Sequence, residues 1–191
     1  MDEIMKGDIR KACEVMQKGG VILYPTDTIW GIGCDATNAE AVKRVYEIKK
    51  RSDSKAMLVL VDNAVKVDFY VDGAPEVAFD LIELTNKPLT IIYDGAKNLA
   101  PNLIAEDGSV GIRVTSEEFS NQLCYRFRKA IVSTSANVSG EPSPATFGEI
   151  SDEIKQAVDY IVQSRQQENK ASQSSSIIKL GKGGQVKVIR E

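Results

Sequence analysis

Three polar clusters in this 191-residue chain have the residue types and spacing to do chemistry. The first, Tyr24-Pro25-Thr26-Asp27-Thr28-Ile29-Trp30-Gly31, carries an apolar run into a hydroxyl-rich turn. The second, Lys49-Lys50-Arg51-Ser52-Asp53-Ser54-Lys55, crowds four cations into seven residues where a helical pattern ends. The third, Ser133-Thr134-Ser135-Ala136-Asn137-Val138-Ser139-Gly140, places five hydroxyl or amide side chains within seven residues, just past another apolar run. Between them Arg113 stands alone in SVGIRV (109–114), and an arginine among apolar neighbours needs an anionic partner. Each cluster also has a plainer use. Cations complement a helix C-terminus, Arg113 could pair with a structural acid, and a hydroxyl run could simply make a turn. Together they describe several cations and many short hydrogen-bond donors, which suits a polyphosphate and a small zwitterion.

The absences narrow the chemistry further. With no histidine in the chain, Ser-His-Asp and Cys-His catalysis and H-E-x-x-H zinc sites are excluded. Cys13, Cys34 and Cys124 are an odd set without C-x-x-C spacing, which reads as reduced, small apolar residues. Lys and Arg number 24 against 27 Asp and Glu, a net charge of −3, so an anion site must be built locally. Gly31-Ile32-Gly33-Cys34-Asp35-Ala36 fits G-x-G-x-x-A, with Asp53 near the place of a ribose-binding acid. That fingerprint must open a helix at once, whereas Asp35-Ala36-Thr37-Asn38 is a turn. No Walker A sequence is present.

The elements that must hold these clusters alternate between strand and helix patterns with no break in composition, which predicts a single α/β domain over 1–191. A helix is expected over 8–18, with Asp8 as N-cap and Gly19-Gly20 as stop. VILY (21–24), AMLVLV (56–61), PLTIIY (88–93), SVGIRV and AIVST (130–134) read as strands, and VDYIV, SIIKL and QVKVIRE close the chain. Asn38 caps a helix, short helices fall near 63–70, 75–85 and 149–157, and Thr115 with Glu118 makes a capping box. Residues 163–176 (QSRQQENKASQSSS) read as a mobile, solvated loop. The N-terminus lacks a signal-peptide pattern and no apolar stretch approaches the ~20 residues of a membrane span, so a soluble, cytoplasmic protein is expected.

YPTDTIWGIGCDA, then KKRSDSK, then SVGIRV, then STSANVSGEPSP resembles the YrdC family of L-threonylcarbamoyl-AMP synthases in order and spacing. The resemblance implies an α/β protein with a large twisted mixed sheet around a concave cationic cavity. It implies condensation of L-threonine, bicarbonate and ATP, with Mg²⁺, into threonylcarbamoyl-AMP and pyrophosphate, for threonylcarbamoyladenosine modification of tRNA by a separate enzyme. Carried over residue by residue, Lys49 and Arg51 match the catalytic K-x-R motif at the ATP phosphates, and Lys55 a further ATP contact. Ser109, Ser135, Asn137, Ser143 and Arg190 match the nucleotide side. Thr28, Arg113, Ser133 and Ser175 match the threonine side, with Arg113 receiving the carboxylate, and no protein metal ligand is implied. The chain departs from the family pattern at Ser52, Ala56, Ser174 and Lys179. The implied step is attack of a carbamate oxygen on the α-phosphorus, an anionic nucleophile that needs alignment and charge neutralisation more than a strong base. Two other readings stay open at this point: a double-stranded RNA-binding module, and a paralogue of the fold without this activity.

Overall fold

The computed structural model describes residues 1–51, 57–169 and 174–191. Its first helix, α1 (Glu3–Gln17), starts earlier than the sequence predicts, because the Asp2 carboxylate accepts the Met5 N–H and caps it. Asp8, expected as the cap, lies inside α1 and is buried. Ile9, Ala12, Cys13 and Met16 face the core at the predicted helical spacing. The chain then runs through β1 (Ile22–Tyr24) and β2 (Gly31–Gly33) before α2 (Ala39–Ile48), which Asn38 caps through the N–H groups of Glu40 and Ala41. The short strand β2 falls in a segment that composition marks only as turn.

After α2 come β3 (Leu58–Val61), α3 (Val65–Tyr70), α4 (Glu76–Leu84), β4 (Leu89–Tyr93) and β5 (Val110–Val114). Helix α5 (Glu118–Phe127) is capped by Glu117, whose carboxylate accepts the Phe119 and Ser120 N–H groups. The Thr115–Glu118 capping box therefore does not form. The Thr115 hydroxyl is buried against the Ser120 hydroxyl at 2.8 Å instead. Strand β6 (Ile131–Ser135), a 3₁₀ turn at Phe147–Glu149, α6 (Asp152–Ala157), β7 (Tyr160–Ile161), β8 (Ser176–Leu180) and β9 (Val186–Arg190) complete the order.

The nine strands of the described residues form one mixed sheet in the order β7-β1-β2-β6-β3-β5-β4-β8-β9. The pairs β1/β7, β3/β5 and β4/β8 are parallel and the others antiparallel. Helices α1 and α5 pack on each other and on β1, β3 and β7. The buried core is continuous from Ile9 to Leu180, and all three cysteines are free and buried within it, as their spacing predicts. Among the described residues no helix is long and apolar enough to cross a membrane.

Candidate active site

Cross-strand register brings the distant polar clusters together. One row across the sheet runs Leu60–Arg113–Thr90–Ile177–Arg190. The residue at 111 shares a face with Arg113 because side chains alternate along a strand. It is a glycine paired with Ile92, so the floor beside Arg113 is flat and apolar. Leu58 pairs with Ser133, placing the start of the STSAN run beside the same floor. At the outer edge Ile177 pairs with Arg190 while Ile178 pairs with Val188. Ile189 is the bulged residue, and it leaves Arg190 rather than Ile189 opposite Ile177.

The resulting cavity, about 320 Å³, is lined by Arg51, Arg113 and Arg190, by Thr28, Ser133, Ser135, Ser143 and Ser175, and by apolar Met57, Leu58 and Ile177. No carboxylate is among its described lining residues. Eight of the twelve residues predicted from the sequence thus converge on one cavity.

Arg113 is buried and held on every side. Its Nε donates to Asp27 Oδ1 at 3.0 Å, NH2 to the Thr28 hydroxyl at 3.3 Å, and NH1 to the hydroxyls of Thr90 and Ser175 at 3.3 and 3.4 Å. The anionic partner that an isolated strand arginine demands is therefore Asp27, three residues into the first polar cluster. Burial lifts the proton affinity of Asp27 above that of an ordinary carboxylate, with Arg113 pulling the other way. The Arg190 guanidinium donates from Nε and NH2 to the Ser175 carbonyl at 3.0 and 2.7 Å, which fixes the residue that closes over Arg113.

Three predicted residues fall elsewhere. Lys49 does not line the cavity. Its ammonium is buried and donates to the carbonyls of Ser135 and Asn137 at 2.5 and 2.7 Å, while the Ser139 N–H donates to the Lys49 carbonyl at 2.8 Å. Lys49 thus clips the SAN loop to the end of α2, and burial followed by the charge of Arg51 pulls its pKa down to about 8. Asn137 is turned into that loop, donating from Nδ2 to Val138 and Glu141 carbonyls at 3.1 and 2.7 Å. Ser109 lies just before β5 and is buried, and both its N–H and its hydroxyl are turned onto Asp107 at 3.0 and 2.5 Å. These bonds and Lys179 hold the Asp107 carboxyl down at about 2. Lys55 lies outside the described residues.

Residues 163–169, the start of the 163–176 loop, are exposed or half-buried, and their first residues are tied to the fold. The buried Asp8 carboxylate accepts the Tyr160 hydroxyl at 2.6 Å, the Gln163 and Ser164 N–H groups, and the Ser164 hydroxyl at 2.5 Å. Arg165 then donates from NH1 to the Thr26 carbonyl at 3.2 Å and pairs with Glu117 and Glu168. At the other end Ser175 is buried against Thr90 at 2.9 Å. One buried carboxylate thus anchors the first two residues of this polar segment, a contact that composition does not contain. Asp27, Thr90, Asp8 and Arg165 are the supporting residues that motif reading missed. For Asp27 the signal was present, since it is the acid inside the polar turn facing an orphan arginine.

A mixed sheet that gathers three arginines and a set of hydroxyls about one cavity, with no carboxylate among the described lining residues, defines an α/β protein with an arginine-lined cleft over a flat apolar floor. The chain belongs to the Sua5/YciO/YrdC family, whose model, described as telomere recombination, matches residues 14–191. Among curated relatives, the threonylcarbamoyl-AMP synthase of Pseudoalteromonas translucida is 32% identical over 157 residues, 81% of this chain and 84% of that protein. Among solved structures, E. coli YciO superposes with a TM-score of 0.82 at 26% identity, covering 96% of this chain and 88% of that one. Sua5 of P. abyssi, solved with L-threonine, gives 0.83 at 24% identity, with 90% of this chain on 50% of that one, a likeness of fold. The family read from the sequence motifs is the family these comparisons give.

Proposed function

We propose that this protein condenses L-threonine, bicarbonate and ATP into L-threonylcarbamoyl-AMP and pyrophosphate. The observation that carries the reading is the cavity itself: Arg51, Arg113 and Arg190 converge with a set of serine and threonine hydroxyls on an apolar floor. The curated relatives that match most of the chain are threonylcarbamoyl-AMP synthases, which supports the same reading. Arg113 receives the amino-acid carboxylate on its NH1 and NH2 end, where three hydroxyls give or take hydrogen bonds as needed. Thr28, Ser133 and Ser175 surround that end and form the threonine side. Arg51 and Arg190 neutralise the phosphates, and Ser135 and Ser143 line the nucleotide side with them. Leu58, Gly111, Ile92 and Ile177 offer a flat apolar surface within reach of a base.

Lys49 acts one layer back. By holding the carbonyls of Ser135 and Asn137 it sets the loop that presents the Ser135 hydroxyl. Lys55 of the same motif region is assigned to ATP on family resemblance alone. Guanidiniums and hydroxyls are ligands for phosphate, so the donor set fits Mg²⁺ that enters as the counter-ion of ATP, held by phosphate oxygens and water. Bound in that way, it would neutralise the triphosphate charge. A separate enzyme consumes the product in the modification of tRNA.

The test is pyrophosphate release from purified protein with Mg²⁺ and ATP. It should require both L-threonine and bicarbonate, with serine a poor substrate because one methyl is worth only ~1–3 kcal/mol. Turnover in carbon-dioxide-depleted buffer would instead make it an ordinary amino-acid adenylating enzyme. No release at all, with salt-sensitive binding to double-stranded RNA, would favour a binding module.

A further inference from the structure

We propose that Arg165 is a positioning residue for the amino-acid substrate: it holds the turn that carries Thr28 and so sets how tightly threonine binds, without touching it. The inference rests on the reaction proposed above and adds a residue that lies outside the arginine cavity.

The turn is the 25–30 connection between β1 and β2, whose register pairs Tyr24 with Gly31. Inside it the Thr26 hydroxyl donates to the Ile29 carbonyl at 2.8 Å and accepts the Thr28 N–H at 3.1 Å. A hydroxyl has one proton and two lone pairs, so Thr26, its proton given to Ile29, accepts the Thr28 hydroxyl at 3.1 Å. Thr28 then meets Arg113 NH2 through a lone pair. The Thr28 hydroxyl is therefore oriented by Thr26, and its place in the cavity depends on what holds Thr26.

Three holds tie this turn to the fold. Arg113 takes the Asp27 and Thr28 side chains from β5. The Ala136 N–H donates to the Trp30 carbonyl at 3.2 Å. Arg165 NH1 donates to the Thr26 carbonyl, also at 3.2 Å. Thr28, Ile29 and Trp30 line both the arginine cavity and a second cavity of about 460 Å³, so the turn is a wall between them. Arg113 lines the first cavity and Arg165 the second. A carboxylate arriving on the NH1 and NH2 end of Arg113 draws on the N–H group that holds Thr28. The hold from the second cavity then keeps Thr26, and Thr28 with it, in register.

Arg165 is itself firmly placed. Its φ of 66° is a left-handed conformation that a side-chain-bearing residue rarely adopts, and such outliers persist where the surroundings over-determine them. The two residues before it are fixed on the buried Asp8 carboxylate, which accepts the Gln163 and Ser164 N–H groups. Its guanidinium also pairs with Glu117 at 3.0 Å and with Glu168 at 2.9 Å. Glu117 is immobilised in turn as the cap of α5. One planar fork thus joins the β1–β2 turn, the start of α5 and the 163–169 segment.

The experiment measures L-threonine binding by calorimetry, and the KM for threonine and for ATP in pyrophosphate release, for wild type, Arg165→Met and Arg165→Lys. Arg165→Met keeps the stem and removes the fork. Its threonine Kd and KM should rise about 10–100-fold while the KM for ATP stays unchanged, since small misplacements of positioning groups cost up to about 10²-fold. Arg165→Lys should fall between, because one ammonium cannot serve the Thr26 carbonyl, Glu117 and Glu168 together. If Arg165 only tethers the 163–169 segment, Arg165→Met will melt at a lower temperature with threonine Kd and KM as in wild type, and the proposal is overturned. Parallel rises in both KM values overturn it too, since the whole cavity has then loosened. If Arg165→Met does not fold, Arg165→Lys decides: a raised threonine Kd with ATP unmoved supports the proposal, and a wild-type Kd refutes it. Wild type that binds threonine yet releases no pyrophosphate overturns the function proposed above, and the Kd values of the variants still decide the role of Arg165. Wild type that does not bind threonine overturns both.

Discussion

Replacing Lys49 by methionine would keep a stem of similar length in a buried position and remove only the ammonium. Two consequences can be worked from the geometry. The carbonyls of Ser135 and Asn137 lose donors at 2.5 and 2.7 Å, each bond to a charged group being worth about 1.5–3 kcal/mol. Against this, the fall of the lysine pKa from 10.5 to about 8 means that holding the charge there costs roughly 3 kcal/mol, which the substitution relieves. The second offsets half or more of the first, so at pH 7 Lys49→Met should destabilise the fold by only about 0–3 kcal/mol. The pH dependence is sharper. Because the folded-state pKa lies below the unfolded one, the folded protein binds fewer protons between pH 8 and 10.5, and the wild type gains stability as pH rises through that window. Relative to Lys49→Met it should gain up to about 3 kcal/mol, measured by urea denaturation at pH 7 and pH 10. A gap between the two proteins that stays flat or shrinks over this range would refute the reasoning. Pyrophosphate release by the variant should fall by at least tenfold, because the unclipped Ser135–Ser139 loop no longer fixes the phosphate side of the cavity.

Gly33→Ala should be among the most damaging single changes, since an added Cβ would lie 2.5 Å from the buried Tyr24 ring and 2.6 Å from the Val132 carbonyl; a loss of about 3 kcal/mol or more is expected in denaturant melts. Asp8→Asn removes one acceptor from a carboxylate that takes four donors, and it should cost about 2–4 kcal/mol while protease cleavage within 163–169 accelerates. Deleting Ile189 removes the bulge yet leaves the next residue opposite Ile177, so activity should survive, whereas Arg190→Ala should lower it at least tenfold.

Which parts of this site could be read in advance follows from how each part is encoded. Residues that touch the cavity directly carry a chemical type that stands out against apolar neighbours, so Thr28, Arg113, Ser133 and Ser135 were legible from type and spacing, whereas Arg190 was legible only through the family resemblance. Strand existence was legible for the same reason, since runs such as Leu58–Val61 and Ile131–Val132 have no polar face to explain. Partnership was not legible. That Arg113 answers to Asp27, 86 residues away, depends on β5 lying between β3 and β4 in a sheet whose order departs from chain order. Lys49 shows the sharper limit, because its type was read correctly and its direction was not. A lysine at a helix end can point to a ligand or to bare carbonyls, and only the path of the Ser135–Ser139 loop over α2 decides between them. The G-x-G of Gly31 and Gly33 is the converse. It lacks the context of a dinucleotide fingerprint, because α2 begins only at Ala39, after the 35–38 turn. Its second glycine is explained instead by a tyrosine ring and a carbonyl crowding the strand from β1 and β6, a contact that no local pattern contains. Side chains that meet the ligand are thus readable from their own chemistry. Those that hold them, Asp27, Lys49 and Asp8, are defined by contacts made across the sheet, and mutations at these three positions separate positioning from chemistry most cleanly.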